Sequence, residues 1–92
     1  MEKNVVMAKR VLMLNRQSEK SYGFFIPHFK EDGTISGGHG VYWFPKSLAI
    51  LVDTGKRFFK EVVYEVTAPE WLFVKQRITD YEIVEMSIRG SK

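Results

Sequence analysis

At 92 residues, with a net charge of +3 and no cysteine, the chain is long enough for one compact core and too short for two. A composition of 45% hydrophobic and 27% charged residues, with 7 Phe, 4 Tyr and 2 Trp, excludes a disordered chain, and without disulfides or thiolate metal sites stability has to come from packing. Residues 1–92 are therefore expected to form a single β-rich domain in the cytoplasm: Met1-Glu2-Lys3-Asn4 opens no signal-peptide pattern, and no apolar run approaches the roughly 18 residues of a membrane span.

Val5 to Leu14 is rich in Val, Leu and Met and runs into the polar stretch Asn15 to Lys20, which predicts a strand followed by a turn. Ser21 to Phe29 completes the hairpin. Tyr22, Phe24 and Ile26 fall on one face and Phe25 and Phe29 on the other, while Pro27, lacking an amide donor, should end or edge the pairing. Lys30 to Gly40 contains Asp32-Gly33 and Gly37-Gly38-His39-Gly40, and is read as turns or a mobile loop because glycine reaches positive φ at little cost. Val41 to Phe44 resumes as a strand stopped by Pro45. Alternation sets Val41 and Trp43 on one face and Tyr42 and Phe44 on the other, and Trp43 is expected inside as a core anchor.

Lys46 to Val52 suits either a bent continuation of that strand or a single helical turn, and Asp53-Thr54-Gly55-Lys56 is read as a turn. Arg57 to Val66 alternates most clearly, with Val62, Tyr64 and Val66 inward and Glu61, Val63 and Glu65 outward. Thr67 and Glu70 have capping-box spacing, which predicts a short helix over about Pro69 to Arg77 that covers the sheet with Trp71, Val74 and Ile78; the run Trp-Leu-Phe-Val also suits a strand. Tyr81 to Arg89 alternates again, with Val84, Met86 and Ile88 inward. The expected fold is mainly β: a small five-stranded, partly open barrel, SH3-like or OB-like, with one short helix.

Asp53-Thr54-Gly55 after Ile50-Leu51-Val52 resembles the catalytic segment of retroviral-type aspartic proteases, in which two such aspartates share a proton. Lys56 stands where those enzymes have a small residue, and no later apolar-apolar-Gly segment follows, so a turn explains the string with less. His28 and His39, the only imidazoles, flank the glycine-rich segment with Glu31 and Asp32 between them; a metal site there would require a mobile loop to hold three or four ligands in fixed geometry. Gly38-His39-Gly40 meets Trp43 where a third phosphate-binding glycine would stand. The expectation is a protein that is not an enzyme and has no catalytic residues, no metal and no cofactor.

A basic and aromatic mixture remains. Residues 1–60 hold ten Lys/Arg against five Asp/Glu, and residues 61–92 hold four against six, a polarity that suits a basic face opposite an acidic one. The candidate nucleic-acid-binding residues are Lys9, Arg10, Arg16, Lys20, Lys46, Lys56, Arg57 and Lys60, interleaved with Tyr22, Phe24, Tyr42, Trp43, Phe58 and Phe59. Cations track phosphates and exposed aromatic faces stack on bases in small barrels that bind single strands. Against this, a small core consumes most of its aromatics, and many surface lysines are simply solvated.

The segments Val41-Tyr42-Trp43-Phe44-Pro45-Lys46-Ser47 and Val66-Thr67-Ala68-Pro69-Glu70-Trp71-Leu72 resemble a pattern in short uncharacterised phage and plasmid proteins. There an apolar strand ends in Trp-(Ile/Leu)-Pro-Lys-Ser and a later Val-Pro-Glu-Trp-Leu opens a helix. Leu48 departs from the Gln usual at that place, and Tyr81 to Arg89 is an added strand. The resemblance covers about 40 residues, carries no catalytic group, and implies a phage or mobile-element accessory protein. Together these readings predict single-stranded nucleic-acid binding through a basic and aromatic face, in the cytoplasm of the host cell and without membrane contact. The rival expectation is a protein-interaction module, such as a phage inhibitor docking on a host or defence protein through an apolar or acidic patch that includes Glu61, Glu65, Glu82 and Glu85.

Overall fold

Six strands and one short helix make up the computed structural model, which describes residues 5–84. The strands are β1 (Met7–Gln17), β2 (Ser21–Phe29), β3 (Ile35–Pro45), β4 (Ile50–Phe58), β5 (Glu61–Pro69) and β6 (Glu82–Val84); a 3-10 turn spans Lys46–Leu48 and α1 spans Glu70–Lys75. All the ladders are antiparallel and the sheet order is β3-β2-β1-β5-β4. β6 pairs with Met7–Lys9 of β1, on the edge that β2 takes up only from Met13 onward. No ladder joins β3 to β4, so the barrel is partly open.

One face of this sheet carries the main core. Ala8, Leu12, Phe24, Ile26, Phe44, Val66 and Ala68 project from it, and Leu72, Phe73 and Ile78 close over them from α1 and the residues after it. The ring of Phe44 meets those of Phe24 and Phe73 edge-on at 5.4 and 5.2 Å, the tilted contact that the aromatic quadrupole favours. A second, smaller core lies on the opposite face, where Met13 and Val63 are fully buried. Gly38 of β3 and Phe58 of β4, from opposite edges of the sheet, line one cavity with Met13 and Phe25, and the Lys56 ammonium lies 5.8 Å from the Phe29 ring centre. A flat sheet would hold β2 and β4 about 14 Å apart. The sheet therefore curls over Met13 and Val63, which is why Val63, expected to face outward, is inside.

Several local expectations are corrected. The segment Ile35–Gly40 is strand rather than mobile loop, and its glycines serve close packing: a Cβ on Gly38 would lie 2.6 Å from Met13 Cε and 2.9 Å from the Ile26 carbonyl. Gly40, at φ 144°, sits at the register shift where β3 holds one residue more than β2. The true turn here is Lys30–Thr34, where Asp32 Oδ1 accepts the Thr34 N–H and hydroxyl. Pro27 lies beyond Phe25, the last β2 partner of β1, so its missing amide breaks no bond to that strand.

Asp53-Thr54-Gly55-Lys56 is no turn between strands but a bulge within β4, a strand additional to the five that the sequence predicts. The chain reverses instead at Phe59-Lys60, with Phe59 at φ 57°. Arg57 and Phe58 consequently belong to β4. The helix is shorter than Pro69 to Arg77 and has no capping box: Thr67 is still in β5, and Pro69 is the N-cap without a side-chain bond. The Glu70 amide donates to the Val6 carbonyl and its carboxylate accepts from the Tyr81 hydroxyl, which raises the tyrosine's pKa. With that phase, α1 buries Leu72 and Phe73, while Trp71 and Val74 are exposed. The inward placement of Met86 and Ile88 lies outside the described residues. No helix among the described residues is long and apolar enough to cross a membrane.

Candidate nucleic-acid interface

Register divides all but one of the eight cationic candidates between the two ends of the sheet. Lys9 and Arg10 lie at the β6 end, where Lys9 Nζ is 3.5 Å from Glu65 and 4.0 Å from Glu82, and Arg10 donates to the Thr79 carbonyl with Asp80 at 3.9 Å. These two charges are matched where they stand. Arg16, Lys20, Lys46, Arg57 and Lys60 lie at the opposite end, where β1, β3 and β4 finish and β2 and β5 begin, while Lys56, on the β4 bulge, reaches across the curled sheet to the ring of Phe29, the last residue of β2.

Lys56, Arg57 and Lys60 ride on the β4–β5 hairpin. Asp53 organises it: its carboxylate accepts the Gly55 N–H at 2.8 Å and a two-pronged contact from Arg57 at 3.0 and 3.1 Å, and these hydrogen bonds hold its pKa below the ordinary aspartate value. Thr54 completes the bulge by donating its hydroxyl to the Val63 carbonyl and accepting the Lys56 N–H. Asp53 is thus the organiser of a bulge and already carries a cation partner, a different setting from two carboxylates that share one proton.

Arg16, Lys20 and Lys46 form the second group. Arg16 pairs with Gly23 of β2, and Gly23 pairs with Trp43 of β3; one step outward, the Lys46 amide donates to the Lys20 carbonyl at 2.8 Å. Among the described residues no carboxylate lies within ion-pair distance of these three. Lys46 Nζ sits 5.2 Å from the Tyr22 ring centre, a cation–π contact that leaves its charge at the surface.

Trp43 is the largest correction. It is 43% exposed, whereas its neighbour Phe44 is fully buried and fills the place expected for the indole. The alternation was right and the choice of inward face was not. On the outward face Gly23 leaves room: a Cβ there would fall 3.0 Å from Arg16 Cγ, 3.0 Å from Val41 Cγ1 and 3.2 Å from the Trp43 ring. An exposed indole and a guanidinium stem therefore flank one glycine. Gln76, just past α1, clamps the backbone beneath, accepting the Trp43 N–H at 3.0 Å and donating to the Trp43 carbonyl at 2.9 Å. Sequence reasoning passed over Gly23 and Gln76; a glycine inside a strand, often a place of close approach, was the available signal for the first.

Scans against protein families, curated proteins and solved structures return no match to this chain.

Proposed function

We propose that the protein binds single-stranded nucleic acid at the end of the sheet that carries Arg16, Lys20, Lys46 and Trp43, as an accessory protein of a phage or other mobile element acting in the cytoplasm of its host. The observation that carries this reading is the half-exposed Trp43 ring beside Arg16 over Gly23. An aromatic face with a neighbouring cation suits a base stacked on the ring and its phosphate held by the guanidinium, and such stacking contributes about 1–3 kcal/mol per base. Its test is fluorescence anisotropy of labelled single-stranded and duplex oligonucleotides at low salt. Single strands should bind in preference to duplex, Trp43→Ala should remove most of the binding, and failure of the wild type to bind either form rejects the reading.

A second reading has its own support. Ile50 and Val52 of β4 are 55% and 54% exposed on an edge strand with no outer neighbour among the described residues. Such an edge suits a protein partner that adds a strand. The acidic version of this rival is weaker, since Glu61 accepts from Asn15 and Glu65 and Glu82 face Lys9.

A further inference from the structure

The two imidazoles meet. His28 of β2 pairs with Gly37, and His39 of β3 pairs with Ile26, so the two histidines are diagonal neighbours on one face of the hairpin. His28 Nε2 and His39 Nδ1 are 2.7 Å apart, the rings are 4.9 Å centre to centre, and both residues are exposed. A mobile loop, as the glycines there suggest, could not hold them as ligands. They stand instead on a paired ladder, with the His28 carbonyl further tied by the Ser36 hydroxyl at 3.2 Å.

We propose that His28 and His39 form a two-imidazole chelate for a divalent late transition metal, copper(II) most strongly. Two nitrogens aimed at each other across 2.7 Å share one hydrogen bond when no metal is present. Ligands at about 2.0–2.1 Å in adjacent positions of a tetragonal metal lie about 3.0 Å apart. The nitrogens need to separate by only a few tenths of an ångström, and each ring has to swing by roughly 45° so that both lone pairs converge on the metal, a movement open to the torsions of two exposed side chains. Imidazole suits copper, nickel and zinc and not magnesium, and affinity among the divalent ions peaks at copper. Among the described residues no third histidine or carboxylate joins the pair, so water fills the remaining positions. This inference stands apart from the nucleic-acid reading, because the pair does not belong to the Trp43 group.

The chain holds no other histidine and no cysteine, which makes the test clean. Untagged full-length protein is titrated with Cu2+, Ni2+, Zn2+ and Mg2+ by calorimetry, and the copper complex is examined by electron paramagnetic resonance. The expected result is one Cu2+ per chain with two imidazole nitrogens in the spectrum, weaker Ni2+ and Zn2+ binding and no Mg2+ binding. His28→Asn and His39→Asn should each lower copper affinity on the order of a hundredfold, since loss of one arm removes the chelate, and far-ultraviolet spectra confirm that the variants fold. Binding that survives the double variant, two independent weak sites, a single coordinated nitrogen, or no copper binding by the wild type would each overturn the proposal.

Discussion

A large aromatic stabilises a fold in proportion to the surface it removes from water, and neighbours in a strand can differ completely in that respect. Phe44 is fully buried between Phe24 and Phe73, whereas Trp43 keeps 43% of its surface. Phe44→Ala should cost about 3–5 kcal/mol in urea denaturation, as for other large buried aromatics. Trp43→Ala should cost clearly less and act instead on oligonucleotide binding; a larger loss of stability than Phe44→Ala would return the indole to the core. The sequence made the pairing of faces legible but not which face goes inside, because Val41, Tyr42, Trp43 and Phe44 are all apolar and both faces of the sheet hold buried residues. Asp53 is a second residue whose setting can be read out. Its pKa is held down by the Gly55 N–H and by Arg57, so these contacts stabilise the folded chain above the ordinary aspartate range and fade as the pH falls through the lowered value. The protection of the Gly55 amide, its exchange rate compared with that of an unstructured chain at the same pH, should fall on acidification. In Asp53→Asn, whose amide oxygen can still accept that N–H, the acid response at Gly55 should vanish, while Thr34, held by Asp32, keeps its own.

Among the elements, β1 and β2 were legible because their apolar alternation is bounded by the polar run from Asn15 to Lys20. β4 was not. Ile50-Leu51-Val52 shows no alternation, Asp53-Thr54-Gly55 imitates a turn, and the real reversal at Phe59-Lys60 carries no glycine or asparagine to announce it. The helix was placed correctly but rotated, since Pro69 rather than Thr67 is its first boundary residue. Its most specific tertiary contact comes from Gln76, which supplies the edge of β3 with the donor and acceptor that a further strand would provide. Gln76→Ala leaves the Trp43 N–H and carbonyl to solvent. Two ordinary hydrogen bonds are worth about 1–2 kcal/mol together, and the Trp43 amide should lose exchange protection by a similar free energy. Protection at the Phe24 amide, in the centre of the sheet, should follow only the global change. Unchanged exchange at Trp43 would mean that the clamp contributes nothing in solution.

On the scale of the whole molecule, the cationic residue types could be read from the sequence, whereas their division between two ends depends on cross-strand register. Lys9 finds Glu65 and Glu82, residues more than fifty positions away, only because β1 lies between β5 and β6. At the other end Arg16, Lys20 and Lys46 come from three successive strand ends and share no acidic partner among the described residues. A modest net charge of +3 therefore conceals a polarised surface. For a single strand held by three cations, the logarithm of affinity should fall with the logarithm of salt concentration with a slope of about −2. Lys20→Glu and Lys46→Glu should each weaken binding and flatten that slope with little change in melting temperature, because neither side chain contributes to the core. Lys9→Glu reverses a charge of the same type at the opposite end, facing Glu65 and Glu82. It should lower stability slightly and leave the salt slope unchanged. Equal flattening by all three variants would show that binding responds to net charge alone and not to the Trp43 end of the sheet.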